Sequence, residues 1–394
     1  MSFSEGSGGS SSPESVALGE TLSFFGSVAD HAAGVAPDQA ERIAALAVGM
    51  ARLAGLEQDE CDALYFAARL RNAGVLGNAA FVRSESLSDR EAMMARWDVP
   101  ARGARICERI ACLPKAAADI VRWQAENWDG TGYPDQLRWA GIPRAAQLLH
   151  IAATYAGSPD PDEGLSTISA ASGRTFGPEP TRTFVMWFHT FGGAIEPIEP
   201  PYDALGADSG TPMEILTLLA EYVDRHNGTP GRAQRIAQRA EEVGRALGLE
   251  ENDIAQIALA SLLYGAGELR AAVLESAQFD ALARLGIETR AAHAMRAATL
   301  IAQCPFVAHV APLVRARGEW YDGTGAPDGL RHDEIPPAAA ALAVSIAYDA
   351  IGESYRSRIT EERASPISRI ETASGTQFDP KIIRALAEVL KARA

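Results

Sequence analysis

The feature that most constrains this 394-residue chain is that it matches itself at a constant shift of 193 residues. ERIA at 41–44 answers QRIA at 234–237, and ARLRNAGVL at 68–76 answers SLLYGAGEL at 261–269. NWDGTGYPDQLRWAGIP at 127–143 matches WYDGTGAPDGLRHDEIP at 320–336 in ten of seventeen positions. Motifs repeated in one order at one spacing require two copies of one fold, because each copy must bury the same faces against the same neighbours. ASGRTFGP at 171–178 pairs with ASGTQFDP at 373–380 at a shift of 202, so the second copy carries nine extra residues just before this element.

Within each copy the apolar residues recur at helical spacing: Ile43, Leu46, Met50 and Leu53 in the first, Ile236, Ala240, Val243 and Leu247 in the second. Asp38 with Glu41 reads as a capping box for the first of these helices, and Thr229 with Pro230 as N-cap and first residue of the second. Alternating strand patterns are rare, so the expected fold is all-α: two tandem helical bundles related by a pseudo-two-fold duplication and packed on each other. The expected organisation is a disordered Gly/Ser-rich segment over 1–14, repeat one over 15–195, a proline-rich linker over 196–212 and repeat two over 213–394.

Hydrophobic content of 47% with 22% charge suits a folded protein. No targeting segment or long apolar run is evident, which predicts a cytoplasmic protein without membrane contact. A formal charge of −15 opposes long polyanions, so nucleic acid is not an expected partner. Cys61, Cys107, Cys112 and Cys304 lack CxxC spacing and read as buried reduced thiols.

Taken in order, ERIAALAVGMARLAGL, the helix with LxxAG, WDGTGYP, IP and SGxxFxP resemble the HD-GYP domain, a subgroup of the HD phosphohydrolase superfamily. The resemblance covers nearly all of both repeats. It implies a helical fold that holds two or three iron or manganese ions and, in active members, hydrolysis of cyclic di-GMP. The family draws its ligands from a His before the first ER, a His-Asp pair, a His-Pro motif, a His-His pair before the WDG loop and a late Asp. In repeat one these positions hold Gln39, Arg71 with Asn72, Val99 or Pro100, Gln124 with Ala125, and Ala153. In repeat two they hold Arg232, Tyr264 with Gly265, His293, Arg317 with Gly318, and Ile346. Only His293 keeps the family's identity, and arginine has no lone pair to give a metal. No metal or cofactor is therefore expected.

The replacements are themselves charged. Arg71, Arg232 and Arg317 stand near Glu126, Glu319 and Asp349, and three readings of them are open: guanidinium-carboxylate pairs that cross-link each bundle in place of metals, arginines reaching out to solvent, or a fork that grips a phosphate-bearing ligand. His293 reads as a packed core histidine or a site residue. In the DGTG loop, Asp129 suits a turn that bonds nearby amides, Gly130 and Gly132 supply backbone freedom, and Pro134 sets the exit. Trp128, Tyr133 and Trp139 either anchor this loop or serve a partner. The resemblance implies contacts of this loop with diguanylate-cyclase domains. The resulting expectation is a catalytically inactive adaptor or regulator in bacterial signalling, acting through protein contacts and with homodimerisation open. The alternatives are a cyclic-dinucleotide sensor without hydrolysis and a divergent phosphohydrolase.

Overall fold

The computed structural model describes residues 11–36, 38–78, 89–206, 210–269, 289–357 and 365–393. It is all-helical among these residues, as the periodicity predicts, with two isolated bridges as the sole β-type pairing. The chain divides into two compact units, Met1–Ile215 and Leu216–Ala394, with the division inside the helix Pro212–His226. The segment expected to be disordered lies mostly on residues 1–10, outside the described residues. Helix Pro13–Ala32 starts earlier than the Gly/Ser composition suggests, because Ser12 accepts the Ser15 N–H at 3.1 Å and Pro13 sits in the first turn, where it has no amide to lose.

In the first unit, helix Gln39–Leu53 turns Ile43, Leu46 and Met50 inward and packs on helices Gln58–Leu70 and Arg144–Ala156. Asp38 forms no side-chain cap here, so the expected capping box is absent; the box appears one helix later, where the Glu60 carboxylate accepts the Glu57 N–H at 3.3 Å. Helices Asp89–Cys107, Ala116–Trp123 and Pro178–Phe191 complete the unit's main packing. The second unit repeats this with Arg232–Ala246, Glu251–Leu263, Thr289–Ala302, Pro337–Ser357 and Pro380–Ala392. The helix Pro337–Ser357 begins where the repeat puts it but runs eight residues past the equivalent end at Ala156, which absorbs most of the nine-residue insertion.

The start of Arg232–Ala246 corrects another expectation. Gly231, at φ +71°, is the N-cap in place of Thr229, and Asp224 from the preceding helix accepts the Ala233 N–H at 2.8 Å. A carboxylate from a neighbouring helix does here what a local cap does elsewhere. All four cysteines are buried free thiols, and burial raises the pKa of Cys107 to about 12. No described helix is long and apolar enough to cross a membrane.

Candidate functional site

The two DGTG loops have the same internal design. Asp129 Oδ1 accepts from the Thr131 N–H at 3.0 Å and its hydroxyl at 2.6 Å; Asp322 does the same for Thr324 at 2.9 and 2.6 Å. Gly130 and Gly323 take φ of +81° and +83°, and a Cβ at Gly132 would lie 2.1 Å from the Asn127 nitrogen. The Tyr133–Pro134 and Ala326–Pro327 bonds are both cis. Each loop is tied to its bundle by two backbone bonds, from Trp128 to Thr175 and Asp129 to Arg174 in the first unit, and from Tyr321 to Gln377 and Asp322 to Thr376 in the second. Trp128 is half-buried against Gly177, whereas Trp139 is 60% exposed.

Glu126 and Glu319 belong to these loops and not to a cross-link with arginine. Glu126 accepts the Asp135 N–H at 2.6 Å and the Leu137 N–H at 3.0 Å; Glu319 accepts those of Asp328 and Leu330 at the same two distances. Both carboxylates are buried, and each spends both oxygens on holding the loop's far strand to its root. Sequence reading missed this role because a glutamate nine residues before its amide partner carries no helical or turn signature. The bidentate pairs Arg122–Asp135 and Arg315–Asp328, with bonds of 2.7 to 2.8 Å, repeat the tie from outside.

The arginines of the second unit find other partners. Arg232 Nη1 lies 3.1 Å from Glu268, and its Nε lies 3.7 Å from Asp349. Asp349 also accepts from Arg235 at 3.1 and 3.3 Å and has Arg239 at 4.0 Å, so one buried carboxylate gathers three guanidiniums from one helix face. Arg235 and Arg239 were not visible as site residues: they recur at i+3 and i+7 from Arg232, a helical stripe that ordinarily means a solvated face. Tyr264 has Arg232 at 5.8 Å and Arg317 at 5.1 Å from its ring centre, and burial together with Glu268 keeps its hydroxyl protonated at any ordinary pH. Arg317 is 8% exposed, and its Nε and Nη2 have no hydrogen-bond partner among the described residues.

Arg232, Glu268 and Arg317 line a cavity of about 450 Å³, together with Arg290, His293, Glu319, Trp320 and Ile346. Five of the family's ligand positions, Arg232, His293, Arg317, Gly318 and Ile346, therefore still converge on one space. In the first unit, Arg71 is drawn to the buried Asp30, and its carbonyl accepts from Gln124 Nε2 at 2.9 Å. Burial raises the Asp30 pKa, and Asn72 donates to that carboxylate at 2.7 Å.

The donors present do not fit the binuclear metal centre that the family resemblance implies. Among the described residues, no three His, Cys, Asp or Glu side chains come together as a metal group. The cavity of the second unit offers one imidazole, with its carboxylates Glu268 and Glu319 engaged by Arg232 and by loop amides, beside guanidinium and aliphatic groups.

The HD domain family matches residues 28–161 and 218–382, one segment in each unit. The 3′3′-cGAMP-specific phosphodiesterase 3 of Vibrio cholerae is 27% identical over 310 residues, which is 73% of this chain and 66% of that protein. A cyclic di-GMP phosphodiesterase of Thermotoga maritima is 22% identical over 189 residues, 45% of this chain and 49% of its own length. The chain thus spans about half to two thirds of these relatives. The crystal structure of a cyclic GMP-AMP specific phosphodiesterase of V. cholerae, V-cGAP3, superposes with a TM-score of 0.64 at 19% identity, covering 95% of this chain and 97% of that one. These findings correct the expectation of a non-enzymatic adaptor. That expectation weighed lost metal ligands alone, whereas the relatives that match the chain at length are named as phosphodiesterases, and the divergent-phosphohydrolase alternative agrees with them better. Matched in both units and over most of its length, the chain belongs to the HD domain family, as a tandem pair of HD-GYP-like units.

Proposed function

We propose that the chain is a divergent phosphohydrolase of cyclic dinucleotides whose working site is the cavity of the second unit. The observation that carries this reading is the cavity's position: Arg232, His293, Arg317 and Ile346 line it from the places where the family keeps its ligands. A phosphodiester entering this space meets two guanidiniums in place of ions, and guanidinium forks match phosphate oxygens in shape and charge. Hydrolysis adds water across one P–O bond, giving a linear dinucleotide with a terminal phosphate. Of the side chains lining the cavity, His293 is the group suited to exchange a proton with the attacking water or the departing ribose oxygen near neutral pH.

A second reading is favoured by the donor set: binding of the cyclic dinucleotide without cleavage. One experiment separates them. The purified chain is incubated with 3′3′-cGAMP and with cyclic di-GMP, and products are resolved by chromatography while binding is followed by calorimetry. The phosphohydrolase reading expects linear product, reduced about 100-fold or more in His293→Ala. Binding with no product supports the second reading, and neither binding nor product defeats both.

A further inference from the structure

The first unit sets different side chains at two of the positions that line this cavity. Two sets of contacts fix how helices Asp89–Cys107 and Thr289–Ala302 correspond. Arg102 donates to the carbonyls of Gly74 and Leu76 at 3.2 and 3.4 Å, as Arg296 donates to those of Gly267 and Leu269, both at 3.3 Å. The Val99 carbonyl closes over Gly74 as the His293 carbonyl closes over Gly267. The register here is a shift of 194, so Trp97 corresponds to Ala291, while Tyr133 in the loop corresponds to Ala326. Trp97 and Tyr133 are stacked, with ring centres 5.8 Å apart and planes at 21°. Ala291 and Ala326 line the cavity of the second unit and meet across Gly318, whose added Cβ would lie 2.5 Å from the Ala326 carbonyl oxygen and 3.5 Å from the Ala291 Cα.

Two stacked rings of the first unit thus correspond to methyl groups beside Arg317, whose Nε and Nη2 have no hydrogen-bond partner among the described residues. An indole and a purine are both flat fused bicycles, so the space released is of the right form for a nucleobase, and the cavity is within the usual size for a small-molecule site. Among the described residues, the lining also carries three guanidiniums, of Arg232, Arg290 and Arg317, against the two carboxylates of Glu268 and Glu319. Glu319 spends its carboxylate on loop amides and Glu268 pairs with Arg232, which leaves Arg317 inside and the exposed Arg290 at the rim. Burial pulls the Arg317 pKa down, and the attraction of Glu268 does not restore it, whereas the Arg232 pKa ends raised against its burial, with Glu268 and Asp349 among the groups that attract it. A buried cation in this condition is completed by an anion.

We infer that the second unit's cavity seats a purine nucleoside phosphate, with the phosphate on Arg317 and the base in the space that corresponds to the Trp97–Tyr133 stack of the first unit. The inference rests on the phosphohydrolase reading for the choice of site, but it is tested without turnover. Calorimetry on the full chain at fixed ionic strength, with inorganic phosphate and with 5′-GMP, is expected to show both binding. Arg317→Met should weaken both at least tenfold. The double variant Ala291→Trp, Ala326→Tyr, which rebuilds the first unit's rings, should weaken GMP at least tenfold and leave phosphate within about threefold. If Arg317→Met does not fold, the Nε–H resonance of Arg317 in the unaltered chain is followed during phosphate titration, and it should move in step with binding. Unchanged affinities in Arg317→Met, a resonance that does not move, or GMP binding indifferent to the rebuilt rings would each overturn the inference. Cleavage of cyclic dinucleotides with no such seat would overturn it while leaving the proposed activity standing; a seat without cleavage would do the reverse.

Discussion

At the residue scale, the charged groups near the second unit's cavity and its counterpart in the first separate into those that hold the fold and those left over. Glu126 and Glu319 hold the loops. Removing Glu319 leaves two part-buried backbone N–H groups without their acceptor, so Glu319→Ala should lose about 1–3 kcal/mol of unfolding free energy by denaturant titration, and Glu126→Ala a similar amount. Asp224 gives a pH-dependent effect of definite sign. Burial lifts its pKa from 3.8 to about 6 against the opposing pull of its bond to the Ala233 N–H and of Arg232 and Arg235, with Glu268 adding to the rise. An acid whose pKa is higher in the folded state binds its proton more tightly there, so its ionisation destabilises the fold above about pH 6. The second unit should therefore gain stability as pH falls from 7.5 to 5, by about 1–1.5 kcal/mol from this group, the rest of its effect following as pH falls on toward 3.8. Comparing thermal unfolding of the unaltered chain with Asp224→Asn at both pH values isolates the effect, and an equal pH response in the two proteins would refute it.

Among the elements, the joint between the short helix Tyr264–Glu268 and helix Thr289–Ala302 sets the site's depth. Gly267 lets the backbones touch: a Cβ there would lie 2.1 Å from the His293 carbonyl oxygen and 2.8 Å from the Ala297 nitrogen, neither of which can swing aside. Gly267→Ala should cost at least about 2 kcal/mol and move His293. Gly265→Ala, two residues away, meets two side-chain atoms, the Val223 Cγ1 at 3.3 Å and the Asn227 Nδ2 at 3.9 Å, and should cost under about 1 kcal/mol, so equal losses in the two variants would show that the backbone contact is not what matters. The helices and both DGTG turns were legible in the sequence, since periodicity, glycines and prolines act within a few residues. The caps were less so. Asp38 and Thr229 have the right chemistry next to the right helices, yet the first makes no side-chain cap, and Asp224 performs the second's task from across a turn.

For the whole molecule, duplication allowed the two units to diverge. The first keeps the ring stack Trp97–Tyr133 and places Gln124 where the second has Arg317, so nucleotide binding should be confined to the second unit. Calorimetry with 5′-GMP should give one site per chain, unaffected by Arg71→Ala. A stoichiometry of two would contradict the assignment.

The sequence by itself determined that this chain is two copies of one helical fold, that the copies are HD-GYP-like, and that all but one of the imidazoles are gone, because repeats, turn residues and ligand identities are written position by position. Only the tertiary structure decided which carboxylate each arginine meets, that Glu126 and Glu319 serve the loops, and that Ala291 and Ala326 open a space beside Arg317. Those outcomes depend on distances between helices far apart in sequence, where several candidate partners of equal chemistry compete and packing alone selects among them.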